Sequence, residues 1–143
     1  MLSKLKPAFG GVQTGGNSSG IVDGAAATLV ASAEYLSARK KEPLVRIVAG
    51  AVVGVPPEIM GIAPVPAIQA LLESTGLSLP DIDRVEINEA FGAQVLACQR
   101  ELGLDRNKLN VNGGAIAIGH PLAATACRSH HVSRGRGLIG EGG

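Results

Sequence analysis

The chain has 143 residues, 45% of them hydrophobic but only 2% aromatic, so any core must be built from Ala, Val, Ile and Leu. Thirteen basic and twelve acidic residues give a net charge of +1. That argues against nucleic acid as the main partner, because phosphate neutralisation needs a basic excess. Mean hydropathy is +0.25, yet the longest apolar run, Ile47 to Val55, holds two glycines and stops at Pro56-Pro57. A membrane-spanning helix needs roughly 20 apolar residues, and nothing here supplies them. Met1-Leu2-Ser3-Lys4 lacks a signal-peptide core, and two cysteines, Cys98 and Cys127, make no disulfide framework. These features read as a soluble, intracellular protein in a reducing compartment.

In chain order, Gly10 to Gly24 (GGVQTGGNSSGIVDG) is a glycine- and hydroxyl-rich loop. Ala25–Ala31 reads as a buried strand, followed by a short helix over Ser32–Lys41 with Ser32 as N-cap, Glu34 in its first turn and Lys40-Lys41 at its end. Leu44–Val53 is β-branched and almost wholly apolar, as expected of a strand buried on both faces. A proline-rich loop leads to a helix over Ala67–Thr75, stopped by Gly76. Val85–Ile87 is a short strand. Asn88 then opens a helix running from Glu89 to Leu102, with Phe91, Val95, Cys98 and Leu102 on one apolar stripe. Leu109–Val111 is a further strand, entering Gly113-Gly114, and a last helix starts near Pro121. RGRGLIGEGG, after Ser133, has no periodicity and reads as an irregular tail. Alternating strands and helices indicate an α/β layered fold, with Ile87, Phe91, Val95, Ile116 and Ile118 buried.

Two strand-to-helix corners stand where α/β sheets usually place chemistry. At the first, Asn88 either gives its amide to a ligand or fixed water, or simply caps the helix, and Glu89 needs no role beyond the helix dipole. At the second, paired glycines and the apolar AIAI segment give His120 a rigid support from which it can exchange a proton near neutral pH. A histidine before a proline is otherwise a surface or capping residue. Cys98 lies on the apolar stripe and reads as core. His130 and His131 are adjacent and cannot face one way on a helix, so no metal site is expected with Cys127. QTGGNSSG lacks the Lys-Ser/Thr ending of a P-loop but remains suited to touching a ligand. A single RGRG is too little to mark an RNA-binding tail.

Four segments, TGGNSSGIVDGAAA, VGVPPEIMGIAPVPAI, VEINEAF and NVNGGAIAIGHPLAATACR, together resemble the thiolase family, acyl-CoA acyltransferases that make or cleave 3-oxoacyl-CoA. The resemblance spans Leu5 to Arg128. It implies a layered thiolase-like fold: residues 1–42 as the end of a first core domain, 43–133 as an incomplete second one, and 134–143 as the tail. By matching position, it implies that His120 helps activate a nucleophilic cysteine and contributes to an oxyanion hole, that Asn88 fixes the water completing that hole, that Phe91 lines the acyl pocket, and that Ser19 and Met60 contact pantetheine. Coenzyme A is then a substrate and no cofactor is implied. A homo-oligomer is the expected assembly, with no nucleic acid or membrane partner. The compartment expected is the cytoplasm, or a mitochondrion or peroxisome in a eukaryote.

The family's acyl-accepting cysteine and its CxGxGxG cysteine have no match here. Leu138 stands where the second would be, and Ala123 and Ala126 replace glycines. The expectation is therefore a thiolase piece carrying the oxyanion-hole and CoA-contacting half, inactive alone. The alternative is a non-catalytic fragment that binds only CoA or a partner subunit.

Overall fold

Val85 and Ile87 are β-branched and flank a single polar residue, a pattern that favours an extended strand with one deeply buried face. The computed structural model describes residues 1–127 and 137–140. In it Arg84–Ile87 forms strand β1. Strand β2, Gly137–Gly140, lies parallel to β1, in register from Arg84↔Gly137 to Ile87↔Gly140. Leu109 bridges Val85, also in parallel. Among the described residues, the helices α1 (Ala33–Ala38), α2 (Pro64–Thr75), α3 (Gly92–Leu102) and the single turn α4 (Ala115–Ile118) accompany this small sheet. The result is a mixed α/β unit.

The core lies between α2, β1 and α3. Val65 and Ile68 from α2 meet Ile82, Val85, Ile87, Leu104 and Leu109, while α3 contributes Val95 and Cys98. Complete burial of an Ile or Val side chain stabilises by about 1.5–3 kcal/mol, so these few residues carry much of the fold. Both long helices end on left-handed glycines, Gly76 (φ 66°) and Gly103 (φ 64°), where a Cβ would be strained. Ser32 caps α1, its Oγ accepting from Tyr35 N at 3.2 Å. Among the described residues no helix is long and apolar enough to cross a membrane.

Several expectations are corrected. Ala25–Ala31 and Leu44–Val53 belong to no strand, and they are largely exposed, with Leu29 at 92% and Val52 at 99%. Their composition favours extension, but burial needs a neighbouring ladder, and no described strand offers one. The helix after β1 begins at Gly92 rather than Glu89, because Phe91 is extended (φ −142°, ψ 137°). Phe91 therefore leaves the helical period and is 45% exposed. Leu109 makes one bridge and the chain turns directly afterwards, so Leu109–Val111 is not a strand. The AIAI segment is a helical turn, and one turn cannot point every side chain inward. Ala115 is buried, Ile116 half-buried and Ile118 exposed. Within the supposedly irregular tail, residues 137–140 form β2: glycine at both ends does not prevent pairing when β1 presents an open edge.

Candidate functional site

β1 ends at Ile87, and the chain stays non-helical through Asn88, Glu89 and Ala90. Asn88 therefore caps no helix. The first turn of α3 is served instead by Gln13, whose Oε1 accepts from Ala93 N at 3.1 Å. Glu89 is not on a helix either. Its Oε1 accepts from Asn110 Nδ2 at 3.2 Å and its Oε2 from Ile116 N at 3.1 Å. One carboxylate thus links the corner after β1 to the start of α4.

Asn110 carries the other half of this link. It sits in the left-handed region (φ 46°), which asparagine tolerates better than most residues. Its side-chain amide pairs with the main chain of Ile87: Ile87 N donates to Oδ1 at 2.8 Å, and Nδ2 donates to Ile87 O at 2.8 Å. The amide continues, for one residue, the ladder that Leu109 began. A Cβ on Gly114 would overlap the Glu89 carboxyl, so glycine there is a condition of the close approach.

The glycine-rich loop straps the two corners together. Gly92 N donates to Asn17 O at 2.8 Å, Ser19 N to Ala90 O at 3.1 Å, and His120 N to Gly20 O at 2.8 Å. Ser18 bridges Phe91 and Ile21 bridges His120. Gly119 has φ 88°, and a Cβ there would lie 2.5 Å from Val22 Cγ2.

The outcome is a contact between two side chains 32 positions apart. Asn88 Nδ2 lies 3.3 Å from His120 Nε2, close enough to touch without an intervening water. The opposite ring nitrogen, Nδ1, is 2.6 Å from the hydroxyl of Thr125, a residue 1% exposed. Asn88 Oδ1 is buried with no partner. An amide N–H and, where its proton is on Nε2, the ring N–H of this half-buried corner can stabilise charge developing on a carbonyl oxygen.

The other expected site residues are placed less closely. Ser19 donates its hydroxyl to Ala90 O at 3.3 Å and so stands beside the residue that lies between Asn88 and Phe91 in sequence. Met60, half exposed, lies on a separate 3-10 turn, Pro57–Ile62, which docks on α3 through Cys98 Sγ donating to Gly61 O at 3.4 Å. Cys98 is fully buried, and burial pushes its thiol pKa up, with Gln94 lowering it in part. Such a thiol is a poor nucleophile. Glu86 is buried in β1, and its pKa is raised first by that burial and then by the charge of Glu89. Among the described residues no group of His, Cys, Asp and Glu gathers as metal ligands; His130 and His131 lie outside the described residues.

Gln13, Glu89, Asn110 and Thr125 are the residues whose part in this site the sequence did not announce. Gln13, Glu89 and Asn110 act through side chains aimed at distant segments, and Thr125 through a contact five residues back, none of which leaves a periodic signal.

Comparison with known proteins agrees with this picture. A family model described as "Thiolase, C-terminal domain" matches residues 41–134. Bovine mitochondrial 3-ketoacyl-CoA thiolase is 54% identical over 129 residues, covering 89% of this chain and 32% of its own length. An acetyl-CoA acetyltransferase of Escherichia coli is 52% identical over the same extent, covering 89% of this chain and 33% of its own length. Among solved structures, the dimeric peroxisomal thiolase of Saccharomyces cerevisiae superposes with a TM-score of 0.89 at 40% identity, covering 99% of this chain and 38% of that one. The human mitochondrial 3-ketoacyl-CoA thiolase in complex with CoA gives 0.82 at 46% identity, covering 90% and 33%. The chain spans about a third of the length of the curated relatives it matches. Both corners fall within the matched C-terminal domain, and the chain belongs to the thiolase family.

Proposed function

We propose that the chain supplies the carbonyl-polarising and CoA-contacting part of a thiolase site. The reaction is acyl transfer between CoA thioesters: 3-oxoacyl-CoA and CoA giving acyl-CoA and acetyl-CoA, or the reverse condensation. The observation that carries this reading is the contact of Asn88 with His120, which joins the corner after β1 to the one after α4. His120 presents an imidazole N–H to the thioester oxygen, and Asn88 holds a water against the same oxygen. Phe91, 45% exposed at that corner, offers its ring to the acyl group. Ser19 and Met60 line the approach of the pantetheine arm. CoA enters as substrate rather than as a resident group.

In this reading residues 1–42 close a first core domain, 43–133 belong to the second, and the assembly is a homo-oligomer. Relatives are named as mitochondrial and peroxisomal enzymes and also come from bacteria, so the proposal fits cytoplasm, mitochondrion and peroxisome alike. The nucleophile is not among the residues present. Covalent acyl transfer needs a thiolate, and Cys98 is buried with a raised pKa.

The test is a titration of the 143-residue chain with acetyl-CoA, followed by the side-chain NMR signals of Asn88 and His120. Saturable shifts of both, lost in His120→Ala, are expected. Acetyl-CoA formation from acetoacetyl-CoA and CoA should not exceed background. Absence of any shift would overturn the proposal, and turnover abolished by Cys127→Ser would overturn the assignment of the nucleophile elsewhere.

A further inference from the structure

His120 Nδ1 and Thr125 Oγ1 are 2.6 Å apart, a short bond in which one atom donates and the other accepts. Thr125 is 1% exposed, so its single hydroxyl proton must find a partner inside the protein. Among the described residues there are two candidates: His120 Nδ1, and Pro121 O at 3.3 Å. Pro121 O already accepts from Ala124 N at 2.7 Å and Thr125 N at 3.1 Å. A third, longer bond to a carbonyl with two lone pairs competes poorly with a 2.6 Å bond to an unprotonated ring nitrogen.

We propose that Thr125 is a positioning residue whose hydroxyl donates to His120 Nδ1 and so fixes the neutral ring with its proton on Nε2. The consequence reaches Asn88. With a proton on Nε2, the Asn88 amide turns so that Oδ1, rather than Nδ2, faces the ring. Amide nitrogen and oxygen differ little in shape, so the turn needs no other movement. The buried Oδ1 that lacks a partner then gains one. Nδ2 becomes the atom in want of an acceptor, which a water or a carbonyl oxygen supplies. The Nε2–H, whose 3.3 Å contact with Asn88 is long enough to yield to a substrate oxygen, and the freed Nδ2 are then the donors that stabilisation of an oxyanion requires. The opposite tautomer would place a bare Nε2 lone pair there and repel such an oxygen. That the acceptor is an acyl-CoA carbonyl rests on the function proposed above; the tautomer does not.

Two-bond nitrogen–proton NMR on the 15N-labelled chain, at mildly alkaline pH where imidazole is neutral, reads the tautomer directly. His130→Gln and His131→Gln variants assign the His120 signals. The expected unprotonated nitrogen, shifted downfield, correlates strongly with Hε1 and only weakly with Hδ2, which identifies it as Nδ1. In Thr125→Val, which keeps the shape and removes the hydroxyl, both nitrogens should move to intermediate shifts, and Thr125→Ser should restore the wild-type pattern. A wild-type spectrum with the unprotonated nitrogen at Nε2 overturns the proposal, as does a folded Thr125→Val with an unchanged tautomer. Should the valine variant fail to fold, the wild-type and serine spectra still decide. The measurement needs no CoA, so failed ligand binding and a wrong tautomer remain separate results.

Discussion

Replacing Asn110 by alanine removes the amide that pairs with Ile87, and Ile87 is only 2% exposed. Its N–H and C=O would be left without partners, at about 1–3 kcal/mol each. Alanine would also have to hold φ near 46°, a conformation in which it is less stable than asparagine by about 1 kcal/mol. The Asn110 backbone bond to Val85 O survives, and partial access of water reduces the loss. The expected cost is about 4 kcal/mol. Whole domains are stable by only about 5–15 kcal/mol, so the variant should be close to unfolded. In urea, with a slope of about 2 kcal/mol per M, the midpoint should fall by about 2 M. Asn110→Gly separates the two contributions: it loses the amide but accepts the dihedral, and should recover about 1 kcal/mol relative to alanine. An alanine midpoint indistinguishable from wild type would refute the assigned role of the amide. A glycine variant no more stable than alanine would refute the backbone argument.

Glu86 should make stability depend on pH. Its folded pKa is raised above the usual 4.5 by burial and then by Glu89, so its contribution is fully present below about 4.5 and is lost as pH rises through the raised folded value. Glu86→Gln should therefore match wild type near pH 4 and exceed it near pH 7 in urea melts; equal stability at both would contradict the assignment. Cys98, fully buried with its thiol pKa raised by burial, should resist iodoacetamide under native conditions while Cys127, half-buried, reacts first. Peptide mass mapping checks the order.

What the sequence revealed, and what it did not, follows from the range of the interactions. Helices α2 and α3 and the glycine stop of α2 were legible because period and capping are local. Val95 and Cys98 were correctly placed on the buried stripe, whereas Phe91 was not, since one extended residue before the helix breaks the period without a compositional mark. Ala25–Ala31 and Leu44–Val53 show the limit of apolar runs: they report a preference for extension, while burial depends on which strand lies alongside. Asn88 and His120 were found through position at strand ends and family motifs, yet their contact is made by Glu89 and Asn110, whose bonds span 21 to 27 positions. Thr125 lies five residues from His120 and follows no helical or strand spacing that would mark it.

The strap formed by the glycine-rich loop has a kinetic consequence. Its bonds join positions 71 and 80 residues apart, Ser19 with Ala90 and Gln13 with Ala93. Closing a loop of that length costs about 2.5 kcal/mol more than closing a four-residue turn. The strap is held by a few main-chain and amide bonds worth about 1 kcal/mol each, with exposed chain at residues 20–30 on its far side. Opening it leaves β1, α2 and α3 packed. Amide protons of Ser19, Gly92 and His120 should therefore exchange with solvent through brief local opening, long before that of Ile87, whose release requires the core itself to come apart. The corner is a latch on a finished core, and the latch sets the rate at which the corner is exposed.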